Sequence, residues 1–279
     1  MDYKRIVTMQ DISCFGQCSL TVALPIISAC GVETSIVPSA VLSTHTGGFT
    51  GFTVRDLSED IPGIADHWRK EGISFDALYT GYLGSTEQVD YVLDIADTLL
   101  RPGAVRIIDP AMADNGALYP AFDEEYVAAM RRLCGIADYI LPNITEASFL
   151  TGIPYRTEYD EAYVRELAQA LVDLGAKTVV LTGVGFREGT TGVAVYEDGE
   201  LKHYEHRLIS KGCHGTGDVY ASAFVGLLMN GREAFEAARI AADYTLRCIE
   251  LTQGDPDHWY GVKFELALPE LVASIAEGR

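Results

Sequence analysis

The sequence predicts an α/β protein in which a mostly parallel central sheet carries helices on both faces. Short apolar runs that stop at polar, Gly or Pro residues alternate with stretches of helical periodicity. Strands that alternate with helices of this length are typical of parallel sheets. The 279 residues contain no Pro/Ser-rich linker, repeat or low-complexity tract, so one domain covering residues 1–279 is expected.

The elements follow in order from these patterns. A loop is expected at residues 10–17 after the first strand, Gly31 is expected to end the first helix, and Pro38 the second strand. The predicted strands are 6–9, 34–38, 77–80, 105–108, 139–141 and 178–182, with a hairpin of 191–196 and 201–205 around Glu-Asp-Gly-Glu. The predicted helices are 19–29, 87–100, 124–133, 161–174, 217–229, 233–251 and 264–276, and the 217–229 helix is apolar nearly all round.

Composition excludes several classes of protein. Lys and Arg number 21 against 40 Asp and Glu, which gives a formal charge of −19. Such a chain is a poor binder of nucleic acid or of an anionic membrane, so an anionic ligand needs a local device such as backbone N–H groups or a metal ion. No stretch approaches 18 apolar residues, and the N-terminus lacks the apolar core of a signal peptide.

Cysteine usage predicts a reduced, cytoplasmic protein. The six cysteines form no CxxC pair, and the chain is too long to be a disulfide scaffold. Cys14 and Cys18 are interpreted as packing or loop thiols, with metal ligation as the alternative, because no second Cys/His pair has matching spacing.

Distinctive polar residues cluster where the predicted strands stop. The four groups are Gln10-Asp11, Thr80-Gly81-Tyr82, Asp109-Pro110, and Pro142-Asn143 followed by Glu146. In open α/β sheets, ligands bind outside the carboxyl ends of the strands, so this shared location favours a function. Each group also has a structural alternative: Asp109-Pro110 is a common turn dipeptide, and Asn143 with Glu146 fits a variant of the capping box.

The sharpest feature is Gly-Cys-His-Gly-Thr-Gly-Asp at residues 212–218, which opens the most apolar helix. Gly215 and Gly217 let successive N–H groups and the helix N-terminus face an anion. A carboxylate at Asp218 repels a phosphate, and accepting a proton from an attacking hydroxyl explains its position. The alternative is that Asp218 only stabilises the helix N-terminus. No GxxxxGK[ST] motif is present.

These motifs resemble a known family. Gly-Thr-Gly-Asp at 215–218 resembles the anion-hole and base motif of the ribokinase-like superfamily. Four further segments resemble pyridoxal kinase motifs: Thr-His-Thr-Gly at 44–47, Thr-Gly-Tyr-Leu-Gly-Ser at 80–85, Asp-Pro-Ala-Met at 109–112 and Leu-Pro-Asn-Ile-Thr-Glu at 141–146. Residues 11–20 are similar to the opening of the bacterial pyridoxamine kinase group, and order and spacing agree from about residue 6 to about residue 275.

The resemblance implies an ATP-dependent vitamin B6 kinase with a ribokinase-like fold and little or no lid, which phosphorylates the 5′-hydroxyl of pyridoxal, pyridoxine or pyridoxamine. It implies ATP as co-substrate, Mg²⁺ and a homodimer, and it leaves a monovalent-cation requirement open. By the same resemblance, Asp218 is the base, and the phosphoryl group is held by Gly215, Thr216 and Gly217. Mg²⁺ is organised through water by Asp109 and Glu146, and ATP is contacted by Asn143, Thr182, Gly183, Lys211, Gly215 and Gly217. The pyridine pocket is lined by Asp11, Ser19, Thr46, Gly47 and Tyr82.

Alternatives remain open. Tyr82 can instead pack in the core, and Lys211 can be a solvated loop lysine. Cys14, Ala111 and Ala113 depart from the family pattern, and Asp11 stands where better-known pyridoxal kinases have serine, which leaves the preferred B6 form open.

Hydroxymethylpyrimidine kinase is the runner-up function, which residues 80–85 disfavour. A non-catalytic B6-binding protein is the other alternative, which the intact Asp218 disfavours. Sugar kinases usually carry lid strands, for which residues 34–77 leave little room.

Overall fold

The structure, a computed structural model, describes residues 3–209 and 213–277. The strands in these ranges are β1 (Arg5–Ser13), β2 (Glu33–Leu42), β3 (Val54–Asp56), β4 (Phe75–Thr80), β5 (Leu100–Ile108), β6 (Ala113–Asp114), β7 (Ala117–Leu118), β8 (Tyr139–Ile140), β9 (Thr178–Thr182), β10 (Thr190–Glu197) and β11 (Glu200–Arg207). The helices are α1 (Leu20–Ala29), α2 (Ile61–Lys70), α3 (Thr86–Thr98), α4 (Glu124–Cys134), α5 (Ile144–Thr151), α6 (Glu161–Asp173), α7 (Thr216–Met229), α8 (Ala234–Thr252) and α9 (Phe264–Glu277).

The packing of the chain defines two compact units. The first unit comprises the described residues of Met1–Glu71 and Ile209–Arg279, and the second unit comprises Gly72–Leu208. The single domain expected from the sequence stays a prediction.

The first unit is built on β1, β2 and helix α7. Strand β1 pairs with β2 in parallel, and the short β3 pairs with the end of β2 in the antiparallel direction. The sequence of α7 is apolar on nearly every side, and residues 219–227 of this helix are all buried. Helices α1 and α8 pack against α7 and cover its buried residues.

The second unit contains the parallel strands β4, β5, β8 and β9, extended by the antiparallel β10 and β11. The predicted hairpin is confirmed: Asp198 and Gly199 both have positive φ, as a two-residue turn of the I′ type requires. Helices α3, α4 and α6 each begin at a Ser or Asp whose side chain accepts a backbone N–H bond from the first turn. The α/β class with a mostly parallel sheet and flanking helices is confirmed.

Two predicted boundaries in the first unit are wrong. Strand β1 does not stop at residue 9 but continues to Ser13, so residues 10–13 are not loop. Strand β2 likewise passes through Pro38 and ends at Leu42. The register between β1 and β2 shifts between Gln10 and Ile12, next to the Gln10–Pro38 pair. A strand irregularity of this kind accommodates a proline, which has no N–H to donate to the ladder.

Other differences are smaller. Helix α3 ends at Thr98, and Leu100 already begins β5 rather than closing the helix. Between β2 and β4 the chain forms only β3 and α2, neither of which was predicted individually. Among the described residues, no helix combines the length and apolar character needed to cross a bilayer. All six cysteines are free thiols.

Candidate active site

The predicted base, Asp218, lies in the first turn of α7 and is partly buried. Its Oδ2 accepts a hydrogen bond of 3.0 Å from the backbone N–H of Ser19. Burial raises the pKa of Asp218 from 3.8 to about 6, the Ser19 N–H opposes this rise, and the negative charge of Asp11 adds to it. A carboxylate with this pKa is ionised at neutral pH and is a stronger base than an ordinary aspartate.

Asp11 lies beside Asp218 in the first unit. It is 5% exposed on β1, where Ser13 Oγ donates a 3.1 Å hydrogen bond to its Oδ2. Burial raises the pKa of Asp11, while hydrogen bonds from the Ser19 and Ser13 side chains lower it. The pKa of the Cys18 thiol is raised by burial and then by the negative charges of Asp218 and Asp11. The structure therefore brings Asp11, Ser19 and Asp218 close together.

Ser19 connects the two carboxylates through an unusual backbone conformation. Its φ of 54° and ψ of −131° lie in a region that non-glycine residues rarely adopt. The residue precedes α1, and its carbonyl accepts the N–H bonds of Val22 and Ala23. With the carbonyl facing the helix, the N–H points at Asp218, and the side chain bonds Asp11.

The glycines before Asp218 have different roles. Gly215 has a φ of 75°, and a Cβ there would lie 1.8 Å from the carbonyl oxygen of Gln17, so only glycine fits. Gly217 is exposed, and a Cβ at this position would meet no atom of the described residues within 4 Å. The Thr216 hydroxyl donates to the Cys213 carbonyl at 3.4 Å. The start of α7 therefore presents its first turn to open space, as an anion site requires. Lys211 lies outside the described residues.

The predicted substrate loop, residues 44–47, is fixed by His45. His45 is 4% exposed, and its Nε2 lies 2.7 Å from the carbonyl oxygen of Tyr260. The backbone N–H of Gly47 donates to His45 Nδ1 at 3.1 Å. These two partners assign the proton to Nε2, because Nδ1 must accept. Thr46 is exposed beside this fixed histidine.

In the second unit, Asn143 and Glu146 form the capping box of α5. Asn143 Oδ1 accepts the Glu146 N–H at 2.9 Å, and Glu146 Oε2 accepts the Asn143 N–H at 2.8 Å. Glu146 Oε1 accepts a further bond of 3.1 Å from the Met112 N–H. Asn143 Nδ2 donates to the Ala113 carbonyl at 2.8 Å. The structural alternative for these two residues is therefore present, and it holds the chain after β5 in place.

Asp109 and Glu146 are the predicted metal ligands. Asp109 directly follows β5 and is half-buried, whereas Glu146 is 4% exposed. The pKa of the Cys134 thiol is raised by burial and then by the charges of Glu146 and Asp109, so both carboxylates act electrostatically on the same thiol. Carboxylate oxygens suit Mg²⁺, which needs only one or two of them and retains water. No group of three or more His, Cys, Asp or Glu ligands occurs among the residues that the structure describes.

The remaining predicted residues also lie in the second unit. Thr182 ends β9, and its N–H donates to the Pro142 carbonyl at 2.9 Å, which places it beside Asn143. Gly183 follows with a φ of 71° and is exposed. Tyr82 follows β4 and is half-buried, with its ring centroid 5.4 Å from that of Phe122.

Some residues of the candidate site were not predicted individually. Ser13 bonds Asp11, and His45 bonds Gly47, although both residues stand inside the quoted motifs. Their polar character in the motifs was the available signal. The contact of Phe122 with Tyr82 has no sequence signal, because 40 residues separate the two rings.

The α/β fold and the Gly-Thr-Gly-Asp start of α7 define a class of protein: a ribokinase-like phosphotransferase with an alcohol group as acceptor. The family model described as phosphomethylpyrimidine kinase matches residues 24–262. The chain belongs to this family.

Three relatives illustrate the similarity. The structure of pyridoxal kinase from Lactobacillus plantarum has 31% sequence identity, covers 98% of each chain and gives a TM-score of 0.90. A Bacteroides thetaiotaomicron protein assigned to the phosphomethylpyrimidine kinases, in a crystal form with pyridoxal, is 35% identical with a TM-score of 0.92, over 97% of this chain and 96% of that one. The pyridoxine/pyridoxal/pyridoxamine kinase of Bordetella bronchiseptica is 30% identical over 261 residues, 89% of each protein.

The chain also resembles a thiamine enzyme. It is 28% identical over 256 residues to the thiamine biosynthetic bifunctional enzyme of Arabidopsis thaliana. The match covers 86% of this chain but only 47% of that enzyme, so the chain spans about half the length of this relative.

Proposed function

We propose that this chain is an ATP-dependent vitamin B6 kinase that phosphorylates the 5′-hydroxyl of pyridoxal, pyridoxine or pyridoxamine. The observation that carries the proposal is Asp218, which is oriented by the Ser19 N–H and has a pKa raised to about 6 at the glycine-led start of α7. Relatives named as B6 kinases, and a homologue crystallised with pyridoxal, support the choice of substrate.

The reaction follows from this geometry. The 5′-oxygen attacks the γ-phosphorus of ATP, the bond from this phosphorus to the ADP oxygen breaks, and the hydroxyl proton passes to Asp218. The Ser19 N–H occupies Oδ2, which leaves Oδ1 of Asp218 for the hydroxyl. The backbone N–H groups at the start of α7, including that of Gly217, stabilise the charge on the transferring phosphoryl group.

The metal and nucleotide roles belong to the second unit. Mg²⁺, when bound with the nucleotide, neutralises charge on the phosphate oxygens. Asp109 and Glu146 would hold this ion through water, since the Met112 N–H bond joins Glu146 to the segment that begins at Asp109. Asn143, Thr182 and Gly183 are proposed to contact ATP; the first two pair across neighbouring backbone segments. A homodimer and the contact of Lys211 with ATP stay predictions of the family resemblance, which leaves a monovalent-cation requirement open. A cytoplasmic location stays a prediction from cysteine usage.

The family resemblance assigns Asp11 and, separately, Tyr82 to the substrate ring. Asp11 offers a buried carboxylate that can accept from a ring hydroxyl or pair with a protonated ring nitrogen. Tyr82 offers an aromatic face for stacking. Ser19, Thr46 and Gly47 complete the residues assigned to the pocket.

One assay tests the proposal. The purified chain is incubated with ATP, Mg²⁺ and, separately, pyridoxal, pyridoxine, pyridoxamine or hydroxymethylpyrimidine, and ADP release is measured. A B6 vitamer is expected to give the highest kcat/KM, and Asp218→Asn is expected to lower kcat by at least ~10²-fold. Asp66→Asn is the matched control, because Asp66 is an exposed partner of Arg69 on α2.

Hydroxymethylpyrimidine kinase is the second candidate. It is supported by the family description, which names a phosphomethylpyrimidine kinase, and by the relative named as a thiamine biosynthetic enzyme. A higher kcat/KM for hydroxymethylpyrimidine than for every B6 vitamer would establish this candidate instead. Binding of a vitamer without any ADP release would indicate a B6-binding protein.

A further inference from the structure

Three aromatic rings form a stack in the second unit, which we name the ring stack: Tyr82, Phe122 and Tyr126. The rings of Phe122 and Tyr126 are nearly parallel, at 11°, with centroids 3.8 Å apart. The rings of Tyr82 and Phe122 are tilted by 36°, with centroids 5.4 Å apart. Phe122 therefore contacts the rings of both tyrosines.

Tyr126 is the fixed end of the ring stack. This residue is 3% exposed, and its hydroxyl donates a 2.7 Å hydrogen bond to the Leu83 carbonyl. Its backbone N–H donates to the Asp123 side chain that caps α4. Leu83 is fully buried and adjoins Tyr82 in the chain. The backbone beside Tyr82 and the ring that supports Phe122 are thus held by the same tyrosine.

Phe122 is the member of the ring stack that reaches the Tyr82 ring. It stands just before the cap of α4, and its N–H donates to the Tyr119 carbonyl at 3.0 Å. Stacking on the buried Tyr126 ring restricts the rotation of Phe122, so Phe122 presents a fixed surface to Tyr82. A tyrosine ring supported in this way loses little rotational freedom when a ligand stacks on it.

We propose that Phe122 is a positioning residue for substrate binding: it holds the Tyr82 ring in the orientation that receives the flat heteroaromatic ring of the substrate. This inference rests on the proposed function, in which Tyr82 covers the vitamer. Phe122 acts only through Tyr82. Its removal therefore weakens binding of the vitamer and leaves ATP binding and the chemical step unchanged.

The test measures the Kd of pyridoxal and of ATP for Phe122→Ala by calorimetry, together with KM and kcat. The Kd of pyridoxal is expected to rise about 2- to 13-fold, the range that corresponds to ordering one freed side chain. The Kd of ATP and kcat at saturating pyridoxal are expected to stay within about twofold of the wild type. Phe122→Tyr keeps the ring and is expected to restore wild-type binding. Tyr91→Ala, which removes a tyrosine from α3 outside the ring stack, is the matched control.

A double-mutant comparison with Tyr82→Ala separates positioning from general packing. When Tyr82 is already alanine, Phe122→Ala is expected to cause no further rise in the Kd of pyridoxal. An equal rise in both backgrounds, or an unchanged Kd in the single Phe122→Ala variant, overturns the inference. Phe122→Leu is measured in parallel; it fills the space without a flat ring, is expected to weaken binding as well, and replaces Phe122→Ala if that variant does not fold.

Failure of the proposed function gives a different result. If Tyr82→Ala itself leaves the Kd of pyridoxal unchanged, the placement of the substrate at Tyr82 is wrong, and the role of Phe122 falls with it. If Tyr82→Ala weakens pyridoxal binding while Phe122→Ala does not, the placement holds and only the positioning role is wrong.

Discussion

Asp218→Asn is expected to stabilise the protein at neutral pH while it removes most of the turnover. The carboxylate is partly buried beside another carboxylate, Asp11, and its pKa is raised from 3.8 to about 6. A rise of about two units corresponds to about 3 kcal/mol, and partial exposure to solvent reduces this to about 1–3 kcal/mol. An asparagine does not ionise, so it avoids this cost.

The size of the stability difference depends on pH. Because the folded-state pKa of Asp218 lies above its unfolded value, the folded protein binds the proton more tightly. The stability that this carboxyl contributes is complete below pH ~4 and is lost as the pH rises through about 6. The stability difference between Asp218→Asn and wild type should therefore increase in favour of the variant between pH 4 and pH 7, and level off above pH 7.

Thermal melts of both proteins at several pH values between 4 and 8 measure this difference. For about 1–3 kcal/mol, the relative gain in Tm between the two ends of the range should be about 2–12 °C. Asp255→Asn is the control of opposite sign, because a hydrogen bond from Lys263 lowers the pKa of Asp255, and the variant should lose stability above pH 4. A difference between Asp218→Asn and wild type that stays constant with pH would refute the reasoning.

Three further predictions concern neighbouring features. Asp11→Asn removes a negative charge beside Asp218, so the acid limb of the kcat–pH profile should move to lower pH; an unmoved limb contradicts the coupling. Gly215→Ala places a Cβ 1.8 Å from the Gln17 carbonyl oxygen, so this variant should lower both Tm and kcat. Gly231 also has a positive φ but has open space around it, so Gly231→Ala should lower Tm less and leave kcat unchanged. Glu146→Ala should cost about 1 kcal/mol of stability through the lost capping bond. The variant should also bind ATP more weakly in the presence of Mg²⁺, as measured by calorimetry. Equal ATP affinity with Mg²⁺ and with EDTA would show that Glu146 only caps the helix.

The sequence predicted the parts of the fold that local patterns determine. The apolar surface of α7 and its Gly-Thr-Gly-Asp start are contained in one short segment, and the structure places them as expected. The extension of β1 to Ser13 was missed because it depends on pairing with residues 41 and 42 of β2, about 30 residues away. The sequence also predicts the end of β2 at Pro38, because only the shifted register with β1 shows that β2 continues past this residue.

The candidate site shows the same division. The residue types of Asp11 and Asp218 were predicted from their motifs, but their proximity and the raised pKa of Asp218 depend on how β1 and α7 pack. The positive φ of Ser19 had no signal, because serine gives no indication of this backbone conformation. The ring stack also had none, since it joins the chain after β4 to the chain before α4.

Glu146 shows that a structural and a chemical role can belong to the same carboxylate. Its oxygens accept backbone N–H groups from Met112 and Asn143, and a backbone hydrogen bond from Ala113 also reaches the carboxyl group. Two carboxylate oxygens offer four lone pairs, so three such bonds leave one for a water of a hydrated ion. The backbone bonds fix the orientation of this group, and they join the segment after β5, where Asp109 lies, to the start of α5. A capping box in this position therefore favours the proposed Mg²⁺ role, because it holds one of the two carboxylates in a constant orientation before any nucleotide arrives.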